Sequence, residues 1–168
     1  MSIFSKLFGP KQDPLFNQAN TLVPAACITA TNLFVPLLDK FPFLRDCNVE
    51  HWDFIVTVAG VFIGSSRLNN MRIGEDREDR LMETVAKALT NWNSDGIRAF
   101  EDCKQLYENE YDRLASSGHD KRFIASDAVG KWIVWNVLGR APRSPAEASL
   151  IRTSGALVIN AFFNWWKE

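Results

Sequence analysis

The chain has 168 residues, of which 46% are hydrophobic and 23% are charged, and its formal net charge is −1. These values are typical of a globular domain that can bury a core, and they exclude disorder throughout the chain. The small net charge gives no overall attraction to nucleic acid, so we expect no nucleic-acid partner. We expect a single helical domain at residues 14–168, preceded by a short amphipathic segment and linker at residues 1–13.

The first residues have the pattern of a short amphipathic helix. Four apolar side chains fall on one side at helical spacing, opposite Lys6: Ile3, Phe4, Leu7 and Phe8. We expect this segment to dock on the protein's own core. The alternative is a peripheral membrane protein anchored by residues 2–8, although a single lysine gives weak attraction to a membrane surface.

A stretch without charge follows, between Asp13 and Asp39. Asparagines, a glutamine and prolines interrupt it, which is unfavourable for a membrane span. Pro24 can occupy the first turn of a helix that runs to about Lys40, with Pro36 bending or ending it.

The most apolar run is FIVTVAGVFIG, from Phe54 to Gly64. It has eleven residues, whereas a bilayer needs about 20, so it predicts a buried helix. Asn48 is a suitable N-cap for this helix. The absence of side chains at Gly60 and Gly64 predicts close approach of a neighbouring helix.

Four further helices follow from apolar residues at helical spacing and from end signals. One lies between Gly74 and Trp92. Ser94 is a suitable N-cap for the next, which Ser117-Gly118 ends, and Gly139 stops a third. Ser144 to Glu147 forms a capping box for the last helix. With few strand signals, the sequence predicts an all-α fold, a single compact orthogonal bundle of about six helices.

Charge is distributed unevenly. Residues 75–120 carry 6 basic and 12 acidic side chains, whereas residues 121–168 carry 7 basic and 3 acidic ones. Arg140 and Arg143 precede the last helix, whose free N–H groups also favour anions, so phosphate or an acidic protein could bind there. A solvated basic loop is the competing interpretation.

Two histidines offer imidazole groups for metal binding. His119-Asp120 is the dipeptide found in HD phosphohydrolases, a class of all-helical metal enzymes, and His51 is the other available histidine. The later aspartate that such a site needs has only Asp127 as a candidate. The pattern is incomplete, so an HD-like metal-dependent hydrolase built on His51, His119 and Asp120 is an alternative, and we expect neither a metal nor another cofactor.

The three cysteines are an odd, widely spaced set, which predicts reduced thiols in a cytoplasmic protein: Cys27, Cys47 and Cys103. Cys47 and His51 are four residues apart, so a thiolate–imidazole pair is geometrically possible. An ordinary small apolar cysteine at the start of a helix is the competing interpretation.

The C-terminal sequence VINAFFNWWKE predicts two apolar stripes on the last helix. One should face the core. The second consists of Ile159, Phe163 and Trp166. Either it is buried because this helix is surrounded by others, or it contacts a partner, and we expect the contact with a partner because aromatic side chains commonly anchor interfaces. The sequence thus favours a non-catalytic, intracellular protein-binding domain of the adaptor, inhibitor, immunity-protein or assembly-factor type. Its partner would be another protein or a second copy of the chain.

Overall fold

The computed structural model describes residues 13–167, except for the side chain of Asn69. These residues form six α-helices and no strand. The helices are α1 (Pro14–Lys40), α2 (Val49–Ser65), α3 (Glu75–Trp92), α4 (Gly96–Ser116), α5 (Ile124–Leu138) and α6 (Pro145–Phe162), with short 3₁₀ turns at Pro42–Asp46 and Leu68–Asn70. The predicted compact all-α bundle of six helices is confirmed. The amphipathic stretch Ile3, Phe4, Leu7 and Phe8 lies outside the described residues.

Helix α2 is the centre of the bundle. Every residue from Ile55 to Ser65 is buried, and α2 contacts α1, α4, α5 and α6. An ideal Cβ on Gly60 would lie 2.8 Å from Cε2 of Phe162, and one on Gly64 would lie 2.8 Å from Cδ1 of Leu22. The predicted close packing at both glycines is therefore confirmed, and it brings α1 and α6 against α2.

Helix α1 begins at Pro14, earlier than the start predicted at Pro24. The carboxylate of Asp13 accepts a hydrogen bond from the backbone N–H of Leu15 and caps the helix. Pro24 and Pro36 lie within α1 rather than at its ends, and both are exposed. Water can therefore hydrate the carbonyl groups that lose their partners at each proline, which is why the helix continues.

Helix α1 is the one helix among residues 13–167 that is long and apolar enough to cross a membrane. Its core-facing side packs on α2 and α3 through residues such as Leu22, Ala26 and Leu37. Because a core helix of this length passes the same test, the feature is weak evidence for a membrane span.

Helices α5 and α6 make the most extensive helix pair in the described structure. An ideal Cβ on Gly130 of α5 would overlap the carbonyl oxygen of Ile151, and one on Gly155 of α6 would overlap that of Ser126. This glycine contact, which the sequence analysis missed, allows the two backbones to touch. It fixes the position of α6, whose C-terminal end carries the predicted binding residues.

Apart from the start of α1, the capping residues that the sequence predicts act as expected with one exception. Asn48 caps α2, Ser144 caps α6 by accepting a hydrogen bond from the N–H of Glu147, and Gly139 ends α5 with φ of 63°. Ser94 does not cap α4, because that helix begins at Gly96 after Asp95.

Candidate functional site

The predicted stripe Ile159–Phe163–Trp166 does not continue along one helix face. Helix α6 ends at Phe162, and the chain then turns so that Trp166 is 9% exposed. The indole Nε1–H of Trp166 donates a hydrogen bond of 2.7 Å to the backbone oxygen of Gly64. Trp166 is therefore a core residue, and its expected place in the partner-binding surface is wrong.

Ile159 and Phe163 do lie together, at one wall of a groove of about 630 Å³. The opposite wall comes from Tyr107 and Tyr111 on α4. We call this the aromatic groove; it lies between the end of α2, α4 and the end of α6. It is lined by Ile63, Ser66, Arg67, Asn70, Tyr107, Glu108, Tyr111, Asp112, Ala125, Ile159 and Phe163.

The aromatic side chains of the groove have defined neighbours. Tyr107 packs edge-on against the core side chain Phe62 with 5.0 Å between ring centroids, and Tyr111 lies 5.8 Å from Tyr107. Burial raises the pKa of Tyr107 to about 12, so its hydroxyl stays neutral at physiological pH. The guanidinium carbon of Arg67 lies 3.9 Å from the ring centroid of Phe163, a cation–π contact. These contacts join the aromatic side chains of the groove to the core side chain Phe62 and to Arg67.

The outer part of the groove is apolar but accessible. Phe163 and Tyr111 are each 40% exposed, although large apolar side chains elsewhere in the fold are mostly buried. Glu108 and Asp112 stand beside them on α4, and neither forms a salt bridge with any described residue. The groove thus offers two aromatic rings beside two available carboxylates.

Arg140 and Arg143, the other predicted partner-binding residues, lie at the opposite end of α6. The Arg140 guanidinium donates two hydrogen bonds to the carboxylate of Glu147, of 3.0 and 2.8 Å. The backbone N–H of Arg143 donates a further one to Glu147. These bonds, led by those from Arg140, lower the pKa of Glu147 to about 2. Arg140 is therefore engaged in holding the start of α6, while the side chain of Arg143 is exposed.

The predicted metal ligands are not brought together. His51 Nε2 lies 3.0 Å from the backbone oxygen of Asn136, and His119 Nε2 lies 2.7 Å from a carboxylate oxygen of Asp127. Asp120 is bonded to Arg122. Within residues 13–167 no three His, Cys, Asp or Glu side chains are grouped as a metal shell.

Cys47 and His51 line the same shallow depression beside Arg140 and Glu147. Burial raises the pKa of the Cys47 thiol, and the charge of Asp46 adds to this effect. A raised pKa opposes formation of the thiolate that nucleophilic chemistry requires.

A charged network on α4 and α5 was not foreseen from the sequence. Glu110 is 7% exposed and bonds both Arg113, at 2.6 Å, and Lys131 of α5, at 2.7 Å. Nearby, Asp127 bonds Arg152 and His119. Every acid here is matched by a cation, so the network ties helices together and leaves no carboxylate available for chemistry. The one part of this network that the sequence could have indicated is the pair Glu110 and Arg113, which are three residues apart on one helix.

Comparison with protein-family models, with curated proteins and with solved structures finds no match for this chain.

Proposed function

We propose that this chain is a non-catalytic binding protein whose aromatic groove receives a short basic and apolar segment of another protein. The observation that carries the proposal is the convergence of Tyr111 and Phe163, from different elements, as half-exposed rings on one groove. Aromatic side chains that are rigidly held and partly exposed are typical anchors of protein interfaces.

The charge around the groove supports a basic partner. Glu108 and Asp112 stand on its rim, and the stretch at residues 75–120 has twice as many acidic as basic side chains. The positive charge of Arg67 is already placed over Phe163. A lysine or arginine of the partner would meet the two rim carboxylates, which would increase the association rate and fix the orientation.

A display library of short random peptides tests the proposal on the whole protein. Enriched peptides should combine an aromatic or aliphatic residue with Lys or Arg, and they should bind with Kd of about micromolar size. Tyr111→Ser and Phe163→Ser should each weaken binding about tenfold or more, as expected for anchor residues. Asp112→Lys should weaken it further and reduce its dependence on salt.

Trp135→Ser is the matched control, because Trp135 is 39% exposed and lies on α5 outside the groove. Peptides that bind the wild type, Phe163→Ser and Tyr111→Ser equally well would contradict the proposal, as would a library that enriches no basic apolar sequence. A dimer that sedimentation detects in the wild type but not in Phe163→Ser would identify a second copy of the chain as the occupant instead.

A further inference from the structure

The aromatic groove continues along α4 into two further depressions. One lies between α3 and α4 and has a volume of about 390 Å³. The other, of about 250 Å³, lies between the first and the aromatic groove. This connecting depression shares Met82 and Phe100 with the α3/α4 depression, and it shares Tyr107 and Glu108 with the aromatic groove. The three therefore form one continuous surface, which we call the α4 trough.

A single face of α4 lines the trough from end to end. Its lining residues recur at intervals of three and four, which places them on one side of the helix: Ile97, Phe100, Lys104, Tyr107 and Tyr111. With a rise of 1.5 Å per residue, this face is about 21 Å long. All of these side chains are half-buried or exposed, so none of the described helices covers the face completely.

The floor of the trough is aromatic without a break. The buried ring of Phe62, on α2, lies 5.8 Å from the ring centroid of Phe100 and 5.0 Å from that of Tyr107. Tyr111 continues the row, 5.8 Å from Tyr107. A partner that lies along α4 can therefore place apolar side chains against rings over the whole length of the trough.

The charges around the trough alternate in sign along it. Both ends are acidic, with Asp79, Glu83 and Glu101 at the α3/α4 depression and Glu108 and Asp112 at the aromatic groove. Lys104 lies between them. All six side chains are exposed, and none forms a salt bridge with a described residue. A complementary occupant is thus basic at both ends and acidic at its centre.

We infer that the occupant of the α4 trough is an amphipathic helix of a partner protein, about four turns long, that lies along α4. The inference rests on the proposed binding function and extends its site from the aromatic groove to the whole trough. A helix fits because the lining side chains form rows at helical spacing, into which the ridges of a second helix can pack. The described residues include no strand edge to which an extended peptide could add.

A display library of peptides of about 16 residues supplies the probe, with apolar residues fixed at helical spacing and all other positions random. Peptides enriched on the whole protein should carry Lys or Arg near both ends and Asp or Glu near the centre. The tightest-binding peptide, labelled with ¹³C, should show helical Cα chemical shifts when bound. It should also bind about tenfold or more tightly than either of its two halves. Enriched peptides that are basic at one end only, or that bind in an extended form, would overturn the inference.

Two variants separate this inference from the proposed function. Phe163→Ser and Glu101→Lys should each weaken binding of the whole peptide about tenfold, because they alter opposite ends of the trough. The half that occupies the aromatic groove should respond to Phe163→Ser alone. A whole peptide that responds to Phe163→Ser but not to Glu101→Lys would overturn the trough and leave the proposed function standing. One that responds to neither variant would overturn both.

Asp39→Lys is the matched control, because it makes the same change of charge at an exposed position on α1 that lines none of the three depressions. It should leave the Kd unchanged, and a loss equal to that of Glu101→Lys would overturn the inference by assigning the effect to net charge. Sedimentation of the protein without peptide tests the other occupant. A dimer that Glu101→Lys abolishes would overturn the inference in favour of a second copy of the chain.

Discussion

Gly130 of α5 and Gly155 of α6 lie against each other, and an ideal Cβ on Gly130 would be 3.2 Å from the amide nitrogen of Gly155. The same Cβ would overlap the carbonyl oxygen of Ile151. The atoms that a side chain would meet belong to the backbone of a well-packed helix, which cannot rotate away. The pair therefore sets the distance between two helices that carry much of the core.

Gly130→Ala and Gly155→Ala should each strongly destabilise the fold. Alanine favours a helix by about 1 kcal/mol over glycine. The backbone overlap outweighs that gain, and we expect a net loss of about 3 kcal/mol or more in the free energy of unfolding. Urea denaturation monitored by circular dichroism measures it. A variant as stable as the wild type would show that α5 and α6 can separate at little cost.

The loss of stability on substituting Gly64 should increase with the size of the new side chain, because the nearest atoms belong to a neighbouring side chain and not to a backbone. A Cβ there would lie 2.8 Å from Cδ1 of Leu22, the far end of a flexible group. Gly64→Ala should therefore cost less than Gly130→Ala, whereas Gly64→Leu should overpack the contact with α1 and cost roughly 1–3 kcal/mol or more. An unchanged melting temperature for Gly64→Leu would contradict close packing at this position.

Truncation of Trp166 should reduce the free energy of unfolding far more than truncation of Phe163, although the two residues are only three positions apart. Trp166 is in the core and donates its indole N–H to the Gly64 carbonyl, so Trp166→Ala should cost about 3–5 kcal/mol. Phe163 is 40% exposed, so Phe163→Ser should change stability by less than about 1 kcal/mol. Equilibrium denaturation of both single variants gives the comparison. Equal losses would place Phe163 in the core and remove the main support for the aromatic groove.

The sequence predicted the helices well where a local signal existed. Asn48, Gly139 and Ser144 act through hydrogen bonds or backbone conformations that neighbouring residues determine, and the structure has them as expected. Gly60 and Gly64 stand in an uncharged run, so their burial could be read from the sequence.

The features that the sequence did not reveal depend on contacts between distant segments. Nothing local pairs Gly130 with Gly155, and nothing marks the end of α6 at Phe162 with a glycine or proline. Helical periodicity in the sequence therefore predicted one continuous stripe through Trp166. In the structure the chain turns after α6, and Trp166 bonds to the backbone oxygen of Gly64. The sequence revealed only half of the aromatic groove: Ile159 and Phe163 were identified, whereas Tyr107 and Tyr111 reach the groove from α4, a distant part of the sequence.

The stability of the protein in acid should depend on Glu110. Hydrogen bonding from Arg113, with a further contribution from Lys131, lowers its pKa from the ordinary 4.5 to about 2. Above pH 4.5 the carboxylate is ionised in both the folded and the unfolded chain, and the ion pairs contribute fully. As the pH falls from 4.5 towards 2, the unfolded chain binds the proton first, so the free energy of unfolding decreases.

Glu110→Gln should remove this contribution. At pH 7 the variant should be less stable by about 1.5–3 kcal/mol, the range for hydrogen bonds to charged groups. Between pH 4.5 and 2 its stability should fall less steeply than that of the wild type, because one proton-binding site has been removed. Some slope should remain, since the pKa values of Asp127 and Glu147 are also lowered.

Urea denaturation across this pH range measures both effects. Glu108→Gln is the matched control, because Glu108 is exposed on the same helix and should leave the slope nearly unchanged. A Glu110→Gln protein that loses stability at pH 7 but keeps the wild-type slope would show that Glu110 acts by packing alone. A slope reduced equally by both substitutions would show that the effect comes from the total charge of α4. The expected result, a flatter slope in Glu110→Gln alone, would assign this part of the acid sensitivity to the ion pairs of Glu110, of which the pair with Lys131 joins α4 to α5.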